Sequence, residues 1–260
     1  MAAEPLVRVS ALSKRYATQA GEDIHALEDV SIDLVDGEFV AVLGPSGCGK
    51  TTLLKILAGI ELHDHGEVLF KGKPFNGAQT GTGVVFQTPV LLPWLTVLQN
   101  VVLPIRVLGL SLPQGTARAR ELLELVGLKG FENKYPVELS GGMQQRAAIV
   151  RGLIHDPRIL LMDEPFGALD ALTRERMNVE LQRIWLVNKK TVFFITHSVS
   201  EAAFLADRVI VMSPRPGTIV DEVKVPFARP RDIDLTSSAD FGRLTTHLRH
   251  KLGSHESAHD

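Results

Sequence analysis

The chain has 260 residues, of which 45% are hydrophobic, and a formal net charge of −2; its mean hydropathy is +0.10. This is enough apolar material for a sizeable core in one domain, or one domain with a subdomain. The near-neutral charge gives no support to nucleic-acid binding, and no apolar run reaches the roughly 18 residues that a membrane helix needs. The one cysteine, Cys48, excludes an internal disulfide and gives no support to a cysteine-built metal site, so a reducing cytosol is the natural setting. The opening MAAEPLVRVS lacks a charged n-region followed by an apolar core, so no signal peptide is expected.

In chain order, Leu6 to Val9 and Val30 to Leu34 alternate apolar and polar residues, as half-exposed antiparallel strands do. Phe39-Val40-Ala41-Val42-Leu43 is continuously apolar, the pattern of a strand buried on both faces. Thr51 to Ala58 reads as a helix closed by Gly59 in the C′ position. Gly83 to Phe86, Ile159 to Met162, Val192 to Ile195 and Val209 to Met212 read as further strands. Between Gln87 and Arg158 no strand is evident, and Ala117 to Val126 and Met143 to Ile154 have helical periodicity, so this stretch reads as a helical insert. After Pro214 the chain is polar and proline-punctuated, and Phe241, Leu244, Leu248 and Leu252 then share one face of a short amphipathic helix.

The segment GPSGCGKT, Gly44 to Thr51, lies directly after one expected strand and directly before the expected helix, and fits G-x-x-x-x-G-K-[ST]. Glycines let the backbone curl so that successive N–H groups face a phosphate, and the helix N-terminus adds partial positive charge. Gly44, Pro45, Ser46, Gly47, Cys48, Gly49, Lys50, Thr51 and Thr52 are therefore the candidate ATP-binding set. Lys50 is expected on the β- and γ-phosphates and the Thr51 hydroxyl on Mg²⁺. Cys48 has two readings: a thiol activated by the helix N-terminus, or a small filler residue. Downstream, Ile159 to Met162 runs into Asp163 and Glu164, placing two acids where open α/β sheets bind ligands. Asp163 is expected to hold Mg²⁺ through its water shell and Glu164 to act as general base on the attacking water.

LSGGMQQR, Leu139 to Arg146, lies upstream of the carboxylate strand. Ser140 can cap a helix whose first residues, Gly141 and Gly142, leave bare N–H groups, which makes a second anion site in a chain with one phosphate loop. The segment resembles the signature of ATP-binding-cassette (ABC) ATPases. The resemblance covers roughly residues 5 to 230. It implies an α/β fold: a P-loop NTPase (RecA-like) core with an N-terminal antiparallel β subdomain and a helical signature subdomain at about 90–156, followed by a C-terminal tail at 231–260. It also implies that Tyr16 stacks on adenine, that Gln87 touches Mg²⁺ or the attacking water, that Asp170 in Ala168-Leu169-Asp170 belongs to the D-loop, and that His197 is the switch histidine. Met143 and Ser198 depart from the usual pattern, where glutamine and an acid are common, and Val150 and Gly152 replace alanines. In the family two copies meet head to tail, each ATP lying between Lys50 and Thr51 of one and Ser140, Gly141 and Gly142 of the other.

The run QTPVLLPWLTVLQN, Gln87 to Asn100, resembles importers of the nitrate, sulfonate and taurine group, as do FGALDALTRE and SPRPGTIVDE. The resemblance implies transmembrane permease partners, indirectly a solute-binding protein, no nucleic acid, and a place on the cytoplasmic face of the inner membrane. In such proteins Leu91, Leu92, Trp94 and Leu95 face a permease coupling helix; the plainer reading makes Trp94 core. Aliphatic sulfonate or taurine is the first expectation for the solute, with nitrate and thiamine-precursor pyrimidines next. A soluble cassette ATPase, an exporter cassette and a metabolic P-loop kinase are the competing readings. A metal site built from His247, His250, His255 and His259 is disfavoured by their spacing, which suits no single helical face.

Overall fold

The structure, a computed structural model, describes residues 4–17, 23–75 and 81–253. In chain order the elements are β1 (Val7–Ala17), β2 (Asp23–Leu34), β3 (Phe39–Leu43), α1 (Lys50–Leu57), β4 (His65–Phe70), β5 (Lys73–Pro74), β6 (Thr82–Val85), α2 (Val97–Val101), α3 (Leu103–Val107), α4 (Leu112–Leu125), α5 (Gly141–Leu153), β7 (Ile159–Asp163), α6 (Ala171–Asn188), β8 (Thr191–Ile195), α7 (Val199–Leu205), β9 (Arg208–Met212), β10 (Ile219–Lys224) and α8 (Ala239–Gly253). They divide into two compact units, residues 1–79 with 190–260, and residues 80–189.

The first unit contains an antiparallel sheet in the order β2-β1-β4-β5. β1 and β2 are longer than the alternation alone suggested, running from Val7 opposite Leu34 to Ala17 opposite Asp23. Register shifts interrupt the ribbon, and Ala11 and Asp29 lie in the left-handed region at φ 49°. Such bulges put two residues against one and reset which side chains face the core. The same unit holds the run β10-β9-β3-β8. β3 pairs in parallel with β8 and with β9, and every residue of β3 and β8 is buried. Strands covered on both faces cannot alternate, which is why their sequences are continuously apolar. Phe39 and Phe194 meet there with ring centroids 5.7 Å apart, and each such ring buried contributes about 1.5–3 kcal/mol.

The C-terminal part is anchored within this unit. Arg231, buried, donates to the carbonyls of Phe204 and Ala206 at 2.8 Å each, closing the last turn of α7. Burial pushes its pKa down to about 10, and a cation at a helix C-terminus is where the peptide dipoles favour one. Phe241 and Leu248 of α8 are buried, and Phe241 stacks on Phe227 at 6.0 Å. His247 and His250 are exposed on α8, and His255 and His259 lie outside the described residues.

The second unit pairs β6 and β7 in parallel, from Thr82 opposite Ile159 to Val85 opposite Met162. Helices α2 to α6 make up most of the rest. α5 packs on β6 so closely that a Cβ on Gly83 would stand 2.2 Å from the Gly152 carbonyl oxygen, and one on Gly152 would meet Val85 and Leu160 at 3.1 Å. The departure from alanine at Gly152 thus has a packing reason. Four helices were not individually evident in the sequence pattern: α2 and α3, of five residues each, and α6 and α7. α6 shows no dominant apolar stripe because Leu172, Val179 and Val187 stay exposed while Met177, Leu181, Ile184 and Trp185 are buried. α7 has only seven residues, and six of them are buried, so its pattern does not alternate.

Candidate functional site

In the first unit, β3 delivers the chain into the phosphate loop. Gly47 (φ 77°) and Gly49 (φ 98°) sit in the left-handed region, and a Cβ on Gly49 would fall 2.5 Å from the Ala26 carbonyl oxygen. Both the curl and the close approach therefore need glycine. α1 starts at Lys50 with no side chain capping it, so the loop, not a hydroxyl, must deal with its first N–H groups. Lys50 is buried, and its ammonium donates to the carbonyls of Gly44 at 2.7 Å and Pro45 at 2.9 Å. These partners are neutral carbonyls, and no carboxylate among the described residues pairs with the lysine. This fits the polyphosphate of a nucleotide: curled backbone, helix N-terminus and a cation whose partners leave it uncompensated.

Around this loop the parallel pairing aligns strand ends. Val42 opposite Ile195 and Leu43 opposite Val211 bring His197, the loop and the segment after β9 to one carboxyl edge. His197 is exposed there and is flanked by a hydrogen-bonded turn. Thr196 donates to the buried Glu201 at 2.5 Å and accepts from the Ser198 N–H at 3.0 Å; Ser198 caps α7 by accepting from the Glu201 N–H at 3.3 Å. Ser198 thus does at this cap what an acid can do. Tyr16, half-buried on β1, brings its hydroxyl 3.5 Å from Thr52 of α1, and Lys14 lies 5.1 Å over its ring. Arg215 donates to the Gly47 carbonyl from the exposed side at 3.3 Å. The reactive reading of Cys48 is corrected. The thiol is 1% exposed and lies so close to Gly44 that a Cβ there would stand 2.7 Å from its sulfur, and burial pushes its pKa up despite Lys50 nearby.

In the second unit, Val85 opposite Met162 aligns Phe86-Gln87 with Asp163-Glu164 at the carboxyl ends of β6 and β7. Glu164 takes φ 44°, a left-handed conformation that a non-glycine residue keeps only when its surroundings hold it. Its carbonyl accepts from Gly167 N–H at 3.0 Å. A Cβ on Gly167 would lie 2.9 Å from the Gln87 amide nitrogen and 3.6 Å from a Glu164 carboxylate oxygen. Gly167 is therefore what lets the Gln87 and Glu164 side chains share one small space.

α5 begins as the sequence predicted. Ser140 is its N-cap and accepts from the Met143 N–H at 3.4 Å. Gly141 is exposed, with only Leu169 near its missing side chain at 3.9 Å, whereas Gly142 is crowded by Thr173 at 3.2 Å. Asp170 caps α6, accepting from the Thr173 N–H at 3.0 Å; the Thr173 hydroxyl and N–H hold its carboxyl below the usual range. A cavity of about 360 Å³ opens between α5 and α6, lined by Ser140, Gly142, Arg146, Thr173 and Arg176 among others.

The core reading of Trp94 is corrected too. It is 69% exposed, with Leu91, Leu92 and Leu95 half-buried beside it. The turn beneath is fixed by buried Asn100, whose amide donates to the carbonyls of Leu92, Leu95 and Thr96 at 3.0–3.1 Å and accepts from Leu92 N–H at 2.7 Å.

A sequence model of the ABC transporter family matches residues 27–167. The chain belongs to the ABC transporter family. It is similar to an uncharacterized ABC transporter ATP-binding protein of Methanocaldococcus jannaschii, 50% identical over 82% of this chain and 79% of that one. It is similar also to the taurine import ATP-binding protein TauB of Pseudomonas aeruginosa, 48% identical over 87% of this chain and 88% of that one. Among solved structures it resembles a dimeric ATP-binding cassette, MJ0796, in a post-hydrolysis state bound to ADP and Pi. The TM-score is 0.74 at 34% identity, covering 85% of this chain and all of that one. The protein is thus an ABC-type ATPase with the fold of a P-loop cassette, carrying an antiparallel β subdomain. No helix among the described residues is long and apolar enough to cross a membrane.

The sequence reading missed several polar residues around these sites: Arg215 on the phosphate loop, Glu201 behind His197, and Gln145 and Arg151 on α5. Only Glu201 carried a local signal, the Ser198-x-x-Glu201 spacing of a helix start. The others act over long sequence separations that no short pattern marks.

Proposed function

We propose that this cassette is the ATP-hydrolysing subunit of an importer for taurine or a related small aliphatic sulfonate, docked on the cytoplasmic face of a membrane permease. What carries the solute reading is its similarity to the taurine import ATP-binding protein along nearly nine-tenths of the chain. The exposed Trp94 and its half-buried leucine neighbours, on a turn fixed by Asn100, support a permease-facing role for this surface.

In this reading two copies pair head to tail. The phosphate loop of one copy holds ATP with Lys50 on the β- and γ-phosphates and Tyr16 against the adenine, while Ser140, Gly141 and Gly142 of the other copy donate to the same γ-phosphate. Thr51, Gln87 and Asp163 offer only oxygen donors, the set a hard divalent cation takes, and so would hold Mg²⁺; when bound it supplies neutralisation of phosphate charge. Glu164 accepts the proton of the attacking water as that water bonds to the γ-phosphorus and the bond to the ADP oxygen breaks. His197 and Gln87 orient the water and the phosphate. Asp170 serves the contact between the copies.

The test is reconstitution of the full complex with its permease and solute-binding protein in liposomes. Taurine should stimulate ATP turnover and be taken up, and Glu164→Gln should lower turnover by about 10²-fold or more while ATP binding persists. A complex that responds to nitrate or a pyrimidine and ignores taurine rejects the solute; unimpaired turnover by Glu164→Gln rejects the base.

A further inference from the structure

We propose that Arg151 and Gln145, on the helix that starts at Ser140, are positioning residues that set the geometry of Gln87. The proposal rests on the reading of Gln87 given above. Three hydrogen bonds carry it. The Gln145 side chain, buried, donates to the carbonyl of Phe86, the residue before Gln87, at 3.3 Å. The Arg151 guanidinium donates through one arm to the carbonyl of Pro89 and through the other to that of Val90, at 2.8 Å each. The segment from Phe86 to Val90 is thus fastened on both sides of Gln87 to one helix.

The segment would not hold this shape unaided. Val90 lies at φ 47°, and a β-branched side chain in the left-handed region is a steric outlier that persists only where neighbours over-determine it. Arg151 is partly buried, burial pushes its pKa down, and no acid among the described residues pairs with it; two carbonyls on the strained turn are what its planar fork engages. A lysine, a point charge on a flexible stem, lacks the rigid planar fork that meets these two carbonyls with separate arms. Because α5 also carries Ser140 and Gly141 at its first turn, a shift of the helix moves both the signature end and the Gln87 backbone. That gives the contact a use beyond stability.

Full-length wild type, Arg151→Met, Arg151→Lys, Gln87→Ala and the Arg151→Met/Gln87→Ala double variant are compared by hydrogen exchange and by Mg-ATP turnover. In Arg151→Met the amides of Thr88, Val90, Leu91 and Leu92 should exchange about ten-fold faster or more, with β7 unchanged. Its kcat should fall by about ten-fold while KM for ATP stays within about two-fold, and Arg151→Lys should recover little. In the Gln87→Ala background, Arg151→Met should add less than about two-fold. Unchanged exchange at these amides, or the same loss of kcat with Gln87 already removed, would overturn the positioning role while leaving the reading of Gln87 intact. Full turnover by Gln87→Ala alone would instead overturn that reading, and the proposal with it.

Discussion

The two helix starts that carry small residues, at Lys50 and at Gly141, solve the same problem in opposite ways. α1 opens with no capping side chain, buries its lysine, and follows a loop in which Gly47 and Gly49 lie at positive φ. α5 opens on a capping serine, leaves Ser140 and Gly141 exposed, and has no cation buried at its first turn. An enclosed, charged start can hold polyphosphate within one chain. An open, capped and uncharged start offers N–H groups too weakly to hold an anion by itself, and makes sense as the second half of a site begun elsewhere. One chain therefore carries two unlike halves.

This contrast can be broken by unequal losses. Lys50→Ala should have the largest effect. Turnover should fall by about 10³-fold, and equilibrium titration should show nucleotide affinity weakened by about 2 kcal/mol, roughly thirty-fold, for the lost charged contacts. Ser140→Arg should come next: turnover falls by about 10²-fold, yet nucleotide affinity of the dilute chain stays within about two-fold, because that half holds nothing alone. Comparable loss of affinity in both variants would erase the distinction. The smallest effect concerns Cys48. Its burial and raised pKa predict that iodoacetamide labels the folded chain at pH 8 far more slowly than the urea-unfolded chain, with or without ATP. Rapid labelling of the folded chain that ATP blocks would mean the loop is more open than its packing indicates.

Much of this was legible in the sequence because it depends on local spacing. The phosphate loop, the Ser140 cap and the carboxylate strand each occupy a few consecutive residues with their flanking element attached, so the pattern contains its own context. β3 and β8 were readable because burial on both faces removes polar residues altogether. What was not legible depends on partners far away in the chain. Asp170 was read as a D-loop residue, and its capping of α6 emerges only once that helix is seen. The fate of Cys48 is set by its burial in the folded loop beside Gly44, which a helix-terminus argument does not include. Trp94 reads equally well as core or surface until Asn100 is found gathering the turn beneath it. Gln145 and Arg151 reach back some sixty positions to Phe86, Pro89 and Val90.

The most direct test of the two-halves account mixes two inactive proteins. Lys50→Ala and Ser140→Arg are each purified, shown to lack turnover, and then combined. In a mixed head-to-tail pair, the intact Lys50 of one copy faces the intact Ser140 of the other, so ATP turnover should return on mixing and peak near equal amounts. If no ratio of the two restores turnover, or if either variant alone hydrolyses ATP at the wild-type rate, the nucleotide is not held between two copies in this way.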